Sequence, residues 1–216
     1  MLYIIMCGGI YADWETPRQL IKVGGETLVG RTIRLLKENG VDNIAISSNN
    51  PVFKYFGVPV LNHNNESVVK NGSVQSGYWC EAFYPTDEPT CYIFGDVYFS
   101  PMAIKTIVER ETDDIDFFAS APPFAENYPK KWAEPFALKV QNTEHLKHAI
   151  NCTKQFANQG LFKRKPIMWE LWQVIEATPL NHINYKNYVQ INDYTSDVDE
   201  PGDAAILEKI IGKSAL

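Results

Sequence analysis

The sequence predicts an α/β protein, a three-layer α/β/α sandwich with a mostly parallel central sheet. Short apolar runs of the length of buried strands alternate along the chain with helix-like segments. The first strand, helix and second strand follow one another at the spacing of a parallel crossover unit. The chain has 216 residues, which is enough for one sizeable core. We therefore predict a single domain over residues 1–216.

The first predicted strand, residues 2–6, ends in a pair of glycines, Gly8 and Gly9. Glycine lets the backbone turn sharply and lets its N–H groups approach a ligand closely. The pair fits neither the P-loop pattern nor the dinucleotide-binding fingerprint. A phosphate site and an ordinary turn after a strand both remain open from these glycines alone.

The segment that follows completes a strand–helix–strand unit. Residues 27–36 form a predicted helix, because their apolar residues recur at i, i+4 and i+7, and Gly40 ends it. Residues 43–48 and 58–61 are predicted strands. Pro59 favours an edge position for the second of them.

The middle of the chain holds the most apolar predicted strand, residues 90–94, and Gly95 and Asp96 follow it directly. An aspartate at the carboxyl end of a central strand lies where α/β folds place ligand groups. Its oxygen atoms suit Mg²⁺, although a carboxylate that caps a turn is the alternative. Ser100 and Pro101 then predict the start of a helix.

The second half continues the alternation of strands and helices. Strands are predicted at residues 115–121, 136–140 and 188–191, and helices at residues 143–157 and 166–175, with a last helix from Pro201. Trp169 and Trp172 are three residues apart and share a helix face. Core packing is the default interpretation of this face, and a subunit interface, hence a homodimer, is the alternative.

Composition excludes several functional classes. Lys and Arg number 20 against 26 for Asp and Glu, a net charge of −6, which argues against a nucleic-acid-binding surface. No apolar run approaches the ~20 residues of a membrane helix, and the start does not resemble a signal peptide. The four cysteines lie far apart without metal-site spacing, so we expect reduced, mostly buried thiols in a cytoplasmic protein.

Four motifs together resemble the nucleotidyltransferases of GT-A-like, Rossmann-like fold. They are PRQ at residues 17–19, GETLVGRTI at 25–33, SVQSG at 73–77 and DVDEPGD at 197–203. This group includes the sugar-phosphate nucleotidyltransferases, the molybdopterin guanylyltransferase-like proteins and the cytidylyltransferases. The chain is most similar to the cytidylyltransferases. The family usually carries Lys after the proline of the first motif, where this chain has Arg18.

The resemblance implies Mg²⁺-dependent transfer of a nucleoside monophosphate to a small phosphorylated acceptor, with release of pyrophosphate. The favoured donor is CTP, and the acceptor is a sugar, polyol or amine-bearing phosphate. Arg18 and Asp96 are the implied catalytic residues, and Asp197 or Asp199 completes the metal site with Asp96. A glycosyltransferase that uses a nucleotide-sugar is an alternative, although Asp96 is not followed by the second aspartate of a D-x-D motif. A non-catalytic nucleotide-binding module is the other alternative.

We expect the two halves of the chain to bind different substrates. Residues 1–110 are expected to bind the nucleotide, and residues 111–216 are expected to bind the acceptor and to complete the metal site. The implied nucleotide-binding residues are Met6, Cys7, Gly8, Gly9, Arg18, Asn71, Gly72, Ser73, Gly77 and Gly95. The candidate acceptor-binding residues, chosen because they lie in a proline-rich segment typical of functional loops, are Lys130, Lys131, Trp132 and Glu134. A solvated loop is the alternative for that segment.

Overall fold

A computed structural model of the chain describes residues 1–8, 15–63, 78–120 and 133–214. The strands are β1 (Leu2–Met6), β2 (Lys22–Val23), β3 (Glu26–Thr27), β4 (Ile44–Ser47), β5 (Val60–Leu61), β6 (Thr90–Phe94), β7 (Val97–Tyr98), β8 (Ile115–Ala119), β9 (Pro135–Val140), β10 (Val189–Gln190) and β11 (Ser196–Asp197). The helices are α1 (Leu28–Glu38), α2 (Pro101–Glu109), α3 (Thr143–Asn158), α4 (Met168–Ile175) and α5 (Pro201–Ser214).

Seven of these strands form one sheet in the order β10-β8-β9-β6-β1-β4-β5. Only β9 pairs antiparallel with its neighbours β6 and β8, so the other six strands run in one direction. Every residue of β4 and β6 is buried. Because successive residues of a strand point to opposite faces, both faces of the sheet are covered. The predicted α/β fold with a mostly parallel sheet is confirmed, as is the edge position of β5.

Local sequence explains the β1–α1–β4 unit, whose two strands pair in parallel. The Thr27 hydroxyl accepts a hydrogen bond from the Gly30 amide at 3.1 Å and caps the start of α1. Gly40 follows the helix with a φ of +78°, a conformation that glycine adopts without a steric penalty. The apolar face of α1 is buried through Val29, Ile33 and Leu36.

The carboxyl ends of β1 and β6 lie side by side, with Met6 opposite Phe94. From β1 the chain crosses through α1 to β4 on one side, whereas β6 lies on the other side. The order of strands therefore reverses between β1 and β6, which is where open α/β sheets bind their ligands. Gly8 follows one strand end and Asp96 follows the other.

The second half of the chain packs around two tryptophans of α4. Trp169 and Trp172 are each 2% exposed, and both rings contact Phe117, with centroids 4.9 Å and 5.5 Å away. The Trp169 indole also contacts Tyr188 and donates a hydrogen bond to the Ala133 carbonyl at 3.0 Å. Core packing, the default interpretation of this face, is confirmed, whereas the homodimer stays a prediction.

Truncating this core should be costly. We expect Trp169→Ala to lower the free energy of unfolding by about 3–5 kcal/mol, because a large buried ring is lost and a cavity remains. Urea unfolding measures the change. Tyr55→Ala is the matched control, since Tyr55 is 89% exposed, and it should change the free energy by less than about 0.5 kcal/mol. A Trp169→Ala variant as stable as this control would contradict the packing described.

Two sequence predictions need correction. The sequence that leads from the SVQSG motif into residues 78–83 predicts the start of a helix, but these residues form only a short 3-10 helix over Trp79–Ala82. The strand predicted at residues 115–121 ends at Ala119. The cysteines are free, and three of them, Cys7, Cys80 and Cys91, are buried, as expected. Among the residues described, no helix is long and apolar enough to cross a membrane.

Candidate active site

A two-stranded antiparallel ribbon beside the main sheet joins distant parts of the chain. In this ribbon β7 pairs with β11, and Asp197 lies opposite Val97. The Val198 amide also donates a hydrogen bond to the Asp96 carbonyl at 2.9 Å. We call residues 96–98 and 196–199 the carboxylate ribbon, because it brings Asp96 to the two aspartates of the terminal motif.

The segment before β11 is tied to the start of α2. The Ser100 hydroxyl donates to the Asp193 carboxylate, and the Ser100 amide donates to the Thr195 hydroxyl at 3.0 Å. The same hydroxyl accepts from the Ala103 amide at 2.9 Å, which confirms Ser100 as the helix cap. The hydrogen bonds of Ser100 with Asp193 and Thr195 thus hold the carboxylate ribbon at the end opposite Asp96.

Arg18 lies in a 3-10 turn, Arg18–Leu20, that faces the carboxylate ribbon. Its Nη2 donates to Asp96 Oδ2 at 2.8 Å, and its Nη1 donates to Asp199 Oδ1. The Arg18 side chain is only 7% exposed, against 21% for Asp96 and 57% for Asp199. One buried guanidinium therefore joins two of the three predicted metal ligands.

A second carboxylate cluster overlaps the first. Carboxylate oxygens of Glu134, Asp197 and Asp199 lie within 4.8 Å of one another. Partial burial, and next the neighbouring Asp197 carboxylate, raise the pKa of Asp199 to about 6, although Arg18 opposes the shift. Crowded carboxylates of this kind are relieved by a divalent cation, whose preferred ligands are oxygens.

Glu134 reaches this cluster because its backbone extends the pairing of β8 and β9. The Ser120 amide donates to the Glu134 carbonyl at 2.9 Å, and the Glu134 amide donates to the Ser120 hydroxyl at 3.2 Å. Glu134 is 4% exposed. The sequence predicts Glu134 as an acceptor-binding residue of a functional loop. The structure brings its carboxylate to the aspartates, a proximity that sequence motifs alone did not indicate.

Asp203 has a separate role at the start of α5. Its Oδ2 accepts hydrogen bonds from the amides of Asp199 at 3.0 Å and Glu200 at 2.9 Å. A carboxylate in the first turn of a helix satisfies free N–H groups and favours the helix dipole. Asp203 thereby holds the backbone of Asp199 in place.

The two glycines at the strand ends have different surroundings. The Gly95 amide donates to the Met6 carbonyl at 3.1 Å. A Cβ at Gly95 would lie 2.6 Å from that carbonyl oxygen and 2.7 Å from the Cys7 sulfur, whereas a Cβ at Gly8 would meet no atom of the described residues within 4 Å. Burial, and next the nearby Asp96, raise the pKa of the Cys7 thiol well above its usual range. Because the Cys7 side chain is buried and protonated, the backbone of Cys7, and not its thiol, is available to contact a ligand.

These different surroundings predict that alanine will destabilise the fold at position 95 but not at position 8. We expect Gly95→Ala to lower the free energy of unfolding by about 1–3 kcal/mol, because backbone atoms must shift to accept the Cβ. Gly8→Ala is the control and should stay within about 0.5 kcal/mol of the wild type. Urea unfolding of the two variants measures both values. Equal destabilisation by the two substitutions would contradict the close approach at Gly95.

Several predicted site residues lie outside the described residues, so the structure does not place them. For the nucleotide they are Gly9, Asn71, Gly72, Ser73 and Gly77. For the acceptor they are Lys130, Lys131 and Trp132. The site that the structure does describe consists of the strand ends, Arg18 and the carboxylates.

Comparisons with known proteins identify the fold. No family model matches the sequence, and no curated protein matches it. Solved structures do match over nearly the whole chain. One is the CTP:phosphocholine cytidylyltransferase LicC of Streptococcus pneumoniae, with a TM-score of 0.55 and 14% identity over 97% of this chain and 98% of that one.

Two further structures are similar to the same extent. A protein assigned as a glucose-1-phosphate thymidylyltransferase from Bacillus anthracis has a TM-score of 0.54 and 14% identity, covering 97% of this chain and 94% of that one. A homologue, from Mycobacterium sp. strain JC1, of a Mycobacterium tuberculosis protein has a TM-score of 0.52 and 16% identity, covering 99% and 97%. The chain therefore has the fold of nucleotidyltransferases, as its motifs predicted.

Proposed function

We propose that this protein is a nucleotidyltransferase that transfers a nucleoside monophosphate, favoured as CMP from CTP, to a small phosphorylated acceptor and releases pyrophosphate. One observation carries the proposal. A nearly buried guanidinium, Arg18, bridges Asp96 and Asp199 beside the strand ends at which α/β sheets bind ligands. The cation is suited to binding the phosphates of a substrate, and the carboxylates beside it are suited to binding a divalent metal.

The residues present fit Mg²⁺. Asp96, Asp197 and Asp199 are the proposed ligands, with Glu134 added because its carboxylate lies within 4.8 Å of the last two. Four carboxylates against the single guanidinium of Arg18 leave an excess of negative charge in the described part of the site. When bound, the metal would supply charge neutralisation at the phosphates.

The reaction needs little proton chemistry from the protein. An oxygen of the acceptor phosphate attacks the α-phosphorus, and the bond from that phosphorus to the pyrophosphate oxygen breaks. The attacking oxygen is already anionic, so positioning and electrostatic stabilisation account for catalysis. Arg18 has five N–H donors in a rigid fork, so it can hold a phosphate while it keeps a carboxylate partner. The backbone at Gly8 offers close approach to the triphosphate.

The nucleotide and the acceptor are open to experiment. The SVQSG motif at residues 73–77 favours CTP. The names of the similar structures include both a CTP enzyme and a thymidylyltransferase, with phosphocholine and glucose 1-phosphate as acceptors. We propose that residues 1–110 bind the nucleotide and that residues 111–216 bind the acceptor, with Lys130, Lys131 and Trp132 near it. The cytoplasmic location also stays a prediction.

Pyrophosphate release tests the proposal. The protein with Mg²⁺ is incubated with CTP, dTTP, UTP, GTP or ATP and with pools of sugar, polyol and amine-bearing phosphates. We expect release that requires both an acceptor and Mg²⁺, with CTP the best donor, and subdivision of the active pool then identifies the acceptor. Release with a different nucleotide would keep the reaction and overturn the choice of CTP. A wild-type protein that neither releases pyrophosphate nor binds any of the triphosphates would overturn the proposal.

A further inference from the structure

Arg31, on α1, has a side chain that is 13% exposed, and two of its three contacts are with Tyr98 of the carboxylate ribbon and with Phe99, which follows it. Its Nε donates a hydrogen bond to the Phe99 carbonyl at 2.8 Å. Its guanidinium carbon lies 4.3 Å from the centre of the Tyr98 ring. Its third contact is a longer one, 3.8 Å from Nη1 to the Glu26 carboxylate.

These contacts need a planar cation. The guanidinium donates to one residue through Nε while its carbon lies over the ring of the preceding residue, a pair of contacts that a lysine ammonium cannot reproduce. Tyr98 pairs with Ser196 in the ribbon, and Asp96 lies two residues before Tyr98. Arg31 therefore contacts the ribbon at Tyr98, one residue from the pair of Val97 with Asp197 and two residues from Asp96.

Arg34, one helical turn further along α1, provides a contrast. It is 43% exposed, and its hydrogen bonds go to Glu26 at 2.8 and 2.9 Å and to Glu38 at 2.8 Å. These contacts stay on α1 and on Glu26 of β3, two residues before the helix. The same helix thus carries one arginine turned to the ribbon and one turned to solvent, with Glu26 as their shared partner.

Helix α1 also contacts the segment that carries Arg18. The Leu28 amide, at the first residue of α1, donates to the Ile21 carbonyl at 3.0 Å, and Ile21 directly follows the 3-10 turn of Arg18. One rigid helix thus meets both sides of the site. The distance between the Arg18 guanidinium and the carboxylates depends on how the ribbon is held against this helix.

We infer that Arg31 is a positioning residue, which fixes the carboxylate ribbon against α1 and so sets the geometry of the carboxylates that would bind the metal. The metal part of this inference rests on the proposed function. The contacts of Arg31 with the described residues are all to protein groups, namely the Phe99 carbonyl, the Tyr98 ring and the Glu26 carboxylate. Residues that orient metal ligands from outside typically change metal affinity by about 10–100-fold when they are replaced.

The test compares Arg31→Met, Arg31→Lys and the control Arg34→Met by two measurements that do not need enzyme activity. Hydrogen exchange reports the backbone amides of residues 97–99 and 196–198. Binding of Mn²⁺, used as the probe metal, is followed by electron paramagnetic resonance. We expect Arg31→Met to speed ribbon exchange and to weaken Mn²⁺ binding by about 10-fold or more. Arg31→Lys should be intermediate, and Arg34→Met should match the wild type within about 2-fold in both.

The outcomes separate this inference from the proposed function. Ribbon exchange in Arg31→Met equal to that in Arg34→Met would overturn the inference. Faster exchange with unchanged Mn²⁺ affinity would also overturn it, because Arg31 would then be merely structural. If the wild type binds no Mn²⁺, the proposed metal site is wrong, and ribbon exchange alone decides whether Arg31 holds the ribbon. If Arg31→Met fails to fold, Arg31→Lys is compared with Arg34→Met in the same way.

Discussion

Asp96→Asn is expected to lower kcat/KM for nucleotidyl transfer by about 10³-fold, the size of effect seen when one well-placed electrostatic group is removed from an active site. Asparagine keeps the shape of aspartate and loses its charge. The negative charge of Asp96 would hold Mg²⁺ against the phosphates, so its loss weakens the interaction on which charge neutralisation depends. Pyrophosphate release at matched Mg²⁺ concentrations measures the effect.

The fold should survive this substitution, which makes the loss of activity interpretable. Asp96 is 21% exposed, its backbone carbonyl still accepts from Val198, and Arg18 keeps its contact with Asp199. Asp113→Asn is the matched control, since Asp113 is an exposed carboxylate just before β8, at the edge of the sheet opposite the one where Asp96 lies. Wild-type transfer by Asp96→Asn would remove the catalytic role assigned to Asp96.

Arg18→Met is the second substitution with a large expected effect, a loss of about 10²–10³-fold in kcat/KM that includes weaker triphosphate binding. The change removes the cation that we propose meets the phosphates. It also leaves Asp96 and Asp199 without the guanidinium that now lies between them, so the carboxylates repel one another and the phosphates more strongly.

Arg18→Lys separates charge from geometry. Lysine restores one positive charge without the fork that joins two carboxylates, so activity should recover only in part. Calorimetry measures the equilibrium binding of the triphosphate to each variant. It separates the effect of the substitution on binding from its effect on turnover. Arg34→Met, which removes an exposed arginine of the same charge, is the control. Triphosphate affinity in Arg18→Met equal to the wild-type value would remove the role in phosphate binding.

Local sequence patterns predicted the two strands and the helix start that surround the site. The apolar runs of β1 and β6 are long enough to identify as strands, and both lie in the centre of the sheet. The start of α2 depends on the side chain of Ser100, which contacts its own first turn. The position of Asp96 follows from the same reasoning, because the residue after a central parallel strand must emerge at the ligand-binding edge.

The carboxylate ribbon depends on tertiary structure. Its strands, β7 and β11, have two residues each, too few for a periodic pattern. They pair across about 100 residues of sequence, as the register of Val97 with Asp197 shows. The contact of Glu134 with the aspartates has the same origin, since the pairing of β9 with β8 and β6 decides where residue 134 emerges.

The α/β class, the strand just before Asp96 and the short list of acidic residues could be predicted from the sequence, because each depends on neighbours within a few positions along the chain. The bridge from Arg18 to Asp96 and Asp199, the position of Glu134 beside Asp197 and the contacts of Arg31 with Tyr98 and Phe99 became visible in the folded chain. These contacts join side chains far apart in sequence. Their geometry follows from how the sheet and helices pack around one another, which no local pattern encodes.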